Sequence, residues 1–313
     1  MRVQLYDPSW KERVIRLTLH EYPFMESWFN RRFEALYEHP LQEGRCRILL
    51  ATEGEALAGM VSYVYWPLEG TGKNCRSYQI LGVLVSPDFR GKGVFATLLD
   101  AMKQAGTDDK ADYLIGFPVP ASKPAFVKKG WTHVFDLSWY IRPLSILAAL
   151  RRRAFKGGAF SSEVPENLES DGFMQTAADS NFWKYRRGLM PEWPSWWHEF
   201  QKDGYRVCIQ FRIGVRKGLN EAIIGKIYPG SAPATIIRAA LRSLFGALRK
   251  EGSTVFVSLA LNPSCKTETL RAVEKMFLKT GKQIHFINMS FSGNTDGFSP
   301  EDWNMMRGDI DTW

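Results

Sequence analysis

Leu84-Val85-Ser86-Pro87-Asp88-Phe89-Arg90-Gly91-Lys92-Gly93-Val94-Phe95-Ala96-Thr97-Leu98-Leu99 is the stretch on which the fold turns. An apolar strand-like run stops at Pro87-Asp88, a turn signal. Two glycines then flank a lysine, and apolar residues resume at helical spacing. Gly91 and Gly93 let the backbone take positive φ, so that successive N–H groups face inward as an anion-binding nest. The helix that starts there adds its positive N-terminal end. Arg90 and Lys92 add formal charge. A loop built this way suits a pyrophosphate. It is neither a Walker loop nor a dinucleotide fingerprint, because GxxxxGK[ST] and GxGxxG are both absent.

Outward from this loop the chain alternates helices and strands. The patterning predicts helices over Pro8–His20 and Met25–Glu38, then strands over Arg47–Thr52 and Ala56–Trp66 joined by a Glu-Gly-Glu turn. A strand at Tyr78–Ser86 enters the loop, and a helix from Gly91 to Ala105 leaves it, with Gly106 expected as its C′ glycine. A strand at Tyr113–Phe117, a helix at Lys123–Lys129 and a strand at Trp131–Arg142 follow. Such alternation beside a hairpin means a mixed α+β sheet.

The 313 residues suffice for two domains, and 45% hydrophobic with 24% charged residues is a globular composition. No apolar run approaches the roughly 20 residues of a membrane span. The first residues lack a signal-peptide core, so the expectation is cytoplasmic. Cys46, Cys75, Cys208 and Cys265 form no CxxC pair, which predicts neither a zinc site nor a disulfide framework. The five histidines (His20, His39, His133, His198, His285) show no metal-ligand spacing, so no metal is expected. The net charge of +8 favours an anionic partner. No basic stripe is interleaved with aromatics, so nucleic acid is not expected.

The second half repeats the first. Glu26-Ser-Trp-Phe-Asn-Arg-Arg-Phe resembles the segment from Asp179 to Arg187, and Arg45-Cys-Arg-Ile-Leu-Leu is echoed by Arg206-Val-Cys-Ile-Gln-Phe. The segment from Tyr113 to Ser122 is echoed by Val255–Ser264. This predicts tandem units at 1–142 and 165–313, joined by a linker at 143–164 that holds Arg151, Arg152 and Arg153. The second copy lacks the glycine loop: Ile227-Tyr-Pro-Gly-Ser-Ala-Pro-Ala stands in its place, without a basic residue.

On these residues the chain resembles the GNAT superfamily of acyl-coenzyme A-dependent N-acetyltransferases, whose signature is [QR]-x-x-G-x-[GA]. Arg90, Gly91, Lys92 and Gly93 fit it, and Phe95 departs at the last, small position. Phe117 to Trp131, a strand end followed by a helix closing in Gly-Trp, resembles a later element of the family. The resemblance implies two tandem GNAT-like units, each a mixed, mostly antiparallel sheet flanked by helices, the C-terminal one degenerate. It implies acetyl-coenzyme A as co-substrate, held by Val83, Leu84, Val85, Arg90, Gly91, Lys92, Gly93, Val94 and Phe95. It also implies that the strand from Ile80 to Val85 splays from its neighbour to bind the pantetheine arm, with an N–H polarising the thioester carbonyl.

The acid and base of such a reaction are not evident. Phe126 stands at the family's usual tyrosine acid and Val119 at its usual asparagine. Glu21, Tyr22, Glu69, Tyr78, Ser122 and Tyr140 remain as candidates, each read with more weight as an ordinary surface or half-buried residue than as a catalyst. The expected reaction is N-acetylation of an amine on a small or sugar-like acceptor. The alternative is a non-catalytic acyl-coenzyme A-binding or interaction protein. Phe182, Trp183, Tyr185, Trp193, Trp196, Trp197 and Phe200 read as a stacking platform or, with more weight, as aromatic core. Arg31, Arg32, Arg186 and Arg187 read as a phosphate grip or as structural ion pairs, and the acidic segment from Gly308 to Trp313 as a solvated tail.

Overall fold

The computed structural model describes residues 1–70, 72–151, 153–189, 194–291 and 299–310. Trp193, Arg152 and 311–313 lie outside the described residues, as do the side chains of Arg31, Arg32 and Arg151. Along the chain run β1 (Arg2–Leu5), α1 (Lys11–Glu21), α2 (Phe29–Phe33), α3 (His39–Gln42), β2 (Cys46–Glu53) and β3 (Ala56–Tyr65). Two short strands follow, β4 (Leu68–Gly70) and β5 (Lys73–Cys75), and then β6 (Ser77–Val85), α4 (Val94–Asp108), β7 (Tyr113–Gly116), α5 (Lys123–Lys128), β8 (Thr132–Pro143) and α6 (Ile146–Arg151). The rest comprises β9 (Gln175–Thr176), α7 (Ser180–Leu189), β10 (Ser195–Lys202), β11 (Tyr205–Arg216), β12 (Leu219–Tyr228), α8 (Ala234–Glu251), β13 (Thr254–Leu261), α9 (Glu268–Glu274) and β14 (Leu278–Ser290).

The chain forms two compact units. In the first, β1, β2, β3 and β6 pair antiparallel in that order. The crossover helix α4 then carries the chain to β7, which lies parallel to β6. The last strand of this sheet is the end of β14, antiparallel to β7 with Ile287 opposite Gly116. Val94, Leu98, Leu99 and Met102 of α4 recur at helical spacing and are buried against Val61, Tyr63 and Ile80. The other face is closed by Val14, Ile15 and Leu17 of α1, packed with Phe29 and Phe33.

The second unit repeats the plan. Here β10, β11 and β12 are antiparallel, α8 crosses over, and β13 runs parallel to β12. Its last strand is β8, antiparallel to β13 with Leu259 opposite Tyr140. Ile236, Ile237, Ala240, Leu241 and Leu244 of α8 form the apolar stripe that spacing predicts and are buried on this sheet. Both units are thus mixed, mostly antiparallel sheets flanked by helices, the α+β class expected.

Three expectations change. The first unit ends at His133 rather than 142 and takes its final strand from the segment beginning at Phe286, while β8 belongs to the second unit. Sequence periodicity marks a strand but not its partner, and consecutive elements pair only most of the time. Gly106 does not cap α4. It lies inside the helix, and a Cβ there would come within 2.7 Å of the Phe291 ring, so close packing is its reason. The echo of residues 45–50 is displaced by one strand, since the topological counterpart of β2 is β10 and β11 answers to β3. Of the second unit's aromatic set, Phe182, Trp183 and Trp197 are core, the reading that carried more weight. Trp183 and Trp197 are buried, the Trp183 indole N–H donates to the Tyr228 hydroxyl at 2.7 Å, and Trp197 stacks on the same ring.

The four cysteines are buried free thiols. Among the described residues, no helix is long and apolar enough to cross a membrane.

Candidate functional site

The site is built at the C-terminal end of β6. Pairing between β6 and β7 holds from Ser77↔Tyr113 to Gln79↔Ile115 and goes no further. The reason lies on the other edge of β6. Opposite β3 the register passes from Ile80↔Tyr63 to Gly82↔Ser62, leaving Leu81 bulged. A bulge bends the strand and raises its twist, so β6 turns away from β7 just beyond it. Leu81, Gly82, Val83 and Val85 are consequently half-exposed inside a sheet, and a Cβ built on Gly82 meets nothing within 4 Å. The expected splay over Ile80–Val85 is what the geometry displays.

From Val85 the chain enters a 3-10 turn at Pro87–Phe89 and then the glycine loop. Gly91 and Gly93 take φ of 75° and 78°, the left-handed region that only glycine adopts without strain. The first hydrogen bond of α4 runs from the Thr97 N–H to the Gly93 carbonyl at 3.1 Å. Gly93 caps the helix without a side chain, so the amides of Val94, Phe95 and Ala96 are left to a ligand or water. Arg90, Gly91, Lys92 and Gly93 are all exposed. Lys92 lies over the Phe89 ring, its Nζ 4.9 Å from the centroid. The guanidinium of Arg90 donates to the Glu21 carboxylate at the end of α1 and, through Nε, to the Val85 carbonyl at 3.4 Å. Phe95 does not crowd the loop. Its ring meets Phe126 edge-on at 5.5 Å, and Phe126 in turn meets Trp131 at 5.3 Å.

The catalytic candidates are not brought together. The Tyr78 ring is buried, and its hydroxyl accepts from Arg76 Nε at 3.1 Å. Ser122 is half-buried before α5 and donates to the Val119 carbonyl at 3.2 Å. Tyr140 sits in the core of the second unit, where its hydroxyl makes no hydrogen bond among the described residues and burial pushes its pKa up to about 12. Glu69 accepts the Ala178 N–H at 2.9 Å in the second unit, and Tyr22 meets Phe24 edge-on at 6.0 Å. Glu21 reaches the loop through its ion pair with Arg90.

Sequence reading missed one polar network. Asp109, just past α4, accepts two hydrogen bonds from Arg47 at 3.2 and 2.8 Å and one from the Tyr63 hydroxyl at 2.8 Å. Burial raises the Asp109 pKa, but the Arg47 and Tyr63 hydrogen bonds outweigh it and hold the carboxyl below its usual range. Nothing in the spacing of residues 47, 63 and 109 signals their meeting.

The corresponding place in the second unit is closed. The bulge recurs, with Gly225 skipped between Ile224↔Phe211 and Lys226↔Gln210, and parallel pairing with β13 stops at Ile224↔Leu259. Here, however, 225–229 are buried, and the C-terminal segment fills the splay. Met306 bridges Leu261, Asn262 donates its N–H to the Met305 carbonyl at 3.1 Å, and Gly308 lies so close to Gly225 that a Cβ would come within 2.8 Å of its backbone. Lys226 and Asp309 pair at 2.9 Å, both fully buried. At the start of α8 the Ala234 N–H is already bound, to the Glu268 carboxylate at 2.8 Å. A Cβ on Gly230 would lie 2.7 Å from the Glu169 carboxylate. Two carboxylates thus stand where the first unit has its open, basic loop. The acidic Gly308–Ile310 part of the tail is packed rather than solvated, since Gly308, Asp309 and Ile310 are buried. Arg187 is likewise structural, bonded to the Ser162 carbonyl and the Glu163 carboxylate.

Residues 12–134 match the acetyltransferase (GNAT) domain family. No curated protein matches the sequence significantly. Among solved structures, a GCN5-related N-acetyltransferase from Anabaena variabilis is similar with a TM-score of 0.63 at 10% identity, over 92% of this chain and 72% of that one. A GCN5-related N-acetyltransferase from Kribbella flavida gives 0.60 at 15% identity, over 92% and 72%. N-myristoyltransferase from Saccharomyces cerevisiae with bound myristoyl-CoA gives 0.51 at 12% identity, over 84% and 74%. The chain therefore has the fold of these N-acetyltransferases, and its residues 12–134 match the acetyltransferase (GNAT) domain family.

Proposed function

We propose that the protein is an N-acetyltransferase that binds one acetyl-coenzyme A per chain, in its first unit, and transfers the acetyl group to an amine of a small or sugar-like acceptor. One observation carries this reading: a splayed, half-exposed strand runs directly into a helix N-terminus with free amides and two positive-φ glycines. The splayed edge of Val83, Leu84 and Val85 suits the amides of a pantetheine arm, which need backbone partners. The loop from Arg90 to Phe95 suits the pyrophosphate, whose charge the helix end and the two cations offset. Transfer needs the acceptor amine to attack the thioester carbonyl, lose a proton and expel the thiolate, which takes that proton up. An N–H on the splayed strand stabilises the oxygen that becomes negative during attack. The chain is proposed to work without a metal.

A second reading is favoured by a specific feature. Phe126 is buried between Phe95 and Trp131 and cannot donate a proton. A protein that binds the cofactor without chemistry would tolerate that residue. Incubation with acetyl-coenzyme A and a panel of small amines and amino sugars, with thiol release followed, decides between them. Acceptor-dependent release supports transfer. Binding without release for any amine favours the second reading.

A further inference from the structure

Arg90 is the formal cation best placed for an anionic ligand, yet it is already engaged. Its guanidinium bonds the Glu21 carboxylate, and its Nε holds the Val85 carbonyl, a group on the very edge that faces the splay. Glu21 is the last residue of α1, an element with Val14, Ile15 and Leu17 buried, so the carboxylate stands on a fixed support. Among the described residues the other cation of the loop, Lys92, is directed over Phe89 rather than to a carboxylate. A negative charge at the mouth of an anion site opposes the ligand twice. It repels the ligand, and it occupies the arginine the ligand would use.

From this geometry we infer that Glu21 is a positioning residue for Arg90 that competes with the pyrophosphate. This inference rests on the cofactor reading above. Binding requires Arg90 to leave Glu21 and the Val85 carbonyl, so one motion frees the cation for the phosphates and a backbone acceptor for the pantetheine arm. In the free protein Glu21 keeps the arginine near the loop and lowers the affinity. Its presence sets the cofactor affinity below what the loop alone would give, which favours release of spent coenzyme A.

The pair is solvent-exposed, with the Arg90 side chain 55% accessible and Glu21 27%, so its strength is that of a surface ion pair. Glu21→Gln should therefore tighten coenzyme A binding by roughly two- to fivefold, an effect that shrinks as salt rises. The test is a double-mutant cycle by calorimetry with coenzyme A on the full chain: wild type, Glu21→Gln, Arg90→Ala and the double variant. The gain from Glu21→Gln should be larger with Arg90 present than in the Arg90→Ala background, where only the direct repulsion is left to relieve. Unchanged or weaker binding by Glu21→Gln overturns the inference, as does an equal gain in both backgrounds. A purely structural Glu21 would lower the melting temperature without this coupling. Failure of the cofactor reading itself shows separately, as Gly93→Asp and Gly93→Asn binding coenzyme A equally well.

Discussion

Gly93 is where the cofactor reading is most exposed to refutation. Its φ of 78° excludes most side chains, but asparagine and aspartate visit this region at a cost of about 1–2 kcal/mol. A Cβ there meets nothing within 4 Å, so neither substitution adds a clash. Gly93→Asn and Gly93→Asp are nearly isosteric and share the backbone strain. They differ by one negative charge at the helix N-terminus, where a carboxylate is favourable to the helix itself. The difference between them therefore isolates the ligand's charge. A carboxylate about 5 Å from a phosphate, at an effective dielectric of about 20, repels it by roughly 3 kcal/mol per pair of unit charges. Salt and exposure discount this by about half, leaving some 1.4 kcal/mol, or about tenfold in affinity. Titration calorimetry with acetyl-coenzyme A should show at least this loss in the aspartate variant relative to the asparagine variant, with both melting alike. Equal affinities in two folded variants would refute the site assignment.

Other expectations follow from the same geometry. A titration with coenzyme A should saturate at one equivalent per chain, and saturation at two would contradict the closed second site. Asp309→Asn leaves the fully buried Lys226 uncompensated and should cost about 3–5 kcal/mol in urea unfolding, whereas the double replacement Lys226→Met with Asp309→Leu should recover most of it. Gly59→Ala places a Cβ 2.6 Å from the Leu84 carbonyl, which must displace the end of β6, so melting should fall by about 1–3 kcal/mol equivalent and coenzyme A should bind more weakly. Asp109 has a depressed folded pKa, so its pairing contributes stability above the ordinary carboxylate range and loses it as pH falls through and below that range. Arg47→Leu should flatten that acid limb of a stability–pH profile, and an unchanged limb would remove Asp109 as its cause.

What could be read from the residues was local. The loop at Arg90–Val94 declares itself because glycine, charge and helical spacing coincide within a few positions. Helix α8 was legible because its apolar stripe is long. The partner of β8 was not legible, since a run of alternating residues carries no label for the strand it joins. The Leu81 bulge was invisible for a related reason. It exists only as a mismatch between two paired strands, and no residue in Ile80-Leu81-Gly82 demands it alone. The Arg47–Tyr63–Asp109 network joins residues far apart in sequence, so charge patterning could not find it. The Glu21–Arg90 pair was half legible, because each residue was singled out for a different role and only the structure joins them.

The two units share the device that opens a groove and differ in what fills it. Bulge, crossover helix and interrupted parallel pairing occur in both. An opened sheet leaves backbone groups without partners, and such groups cost free energy wherever water is excluded. The second unit satisfies them with its own chain: Met305 and Met306 on β13, Glu268 on the helix end, Asp309 on Lys226. Its loop carries two prolines, Pro229 and Pro233, which offer no N–H to an anion. The first unit has no such occupant among the described residues, and its loop is basic, glycine-rich and exposed. An open groove with a basic, glycine-rich mouth is what the proposed function needs, and the positive charge there suits an anionic ligand over a neutral one.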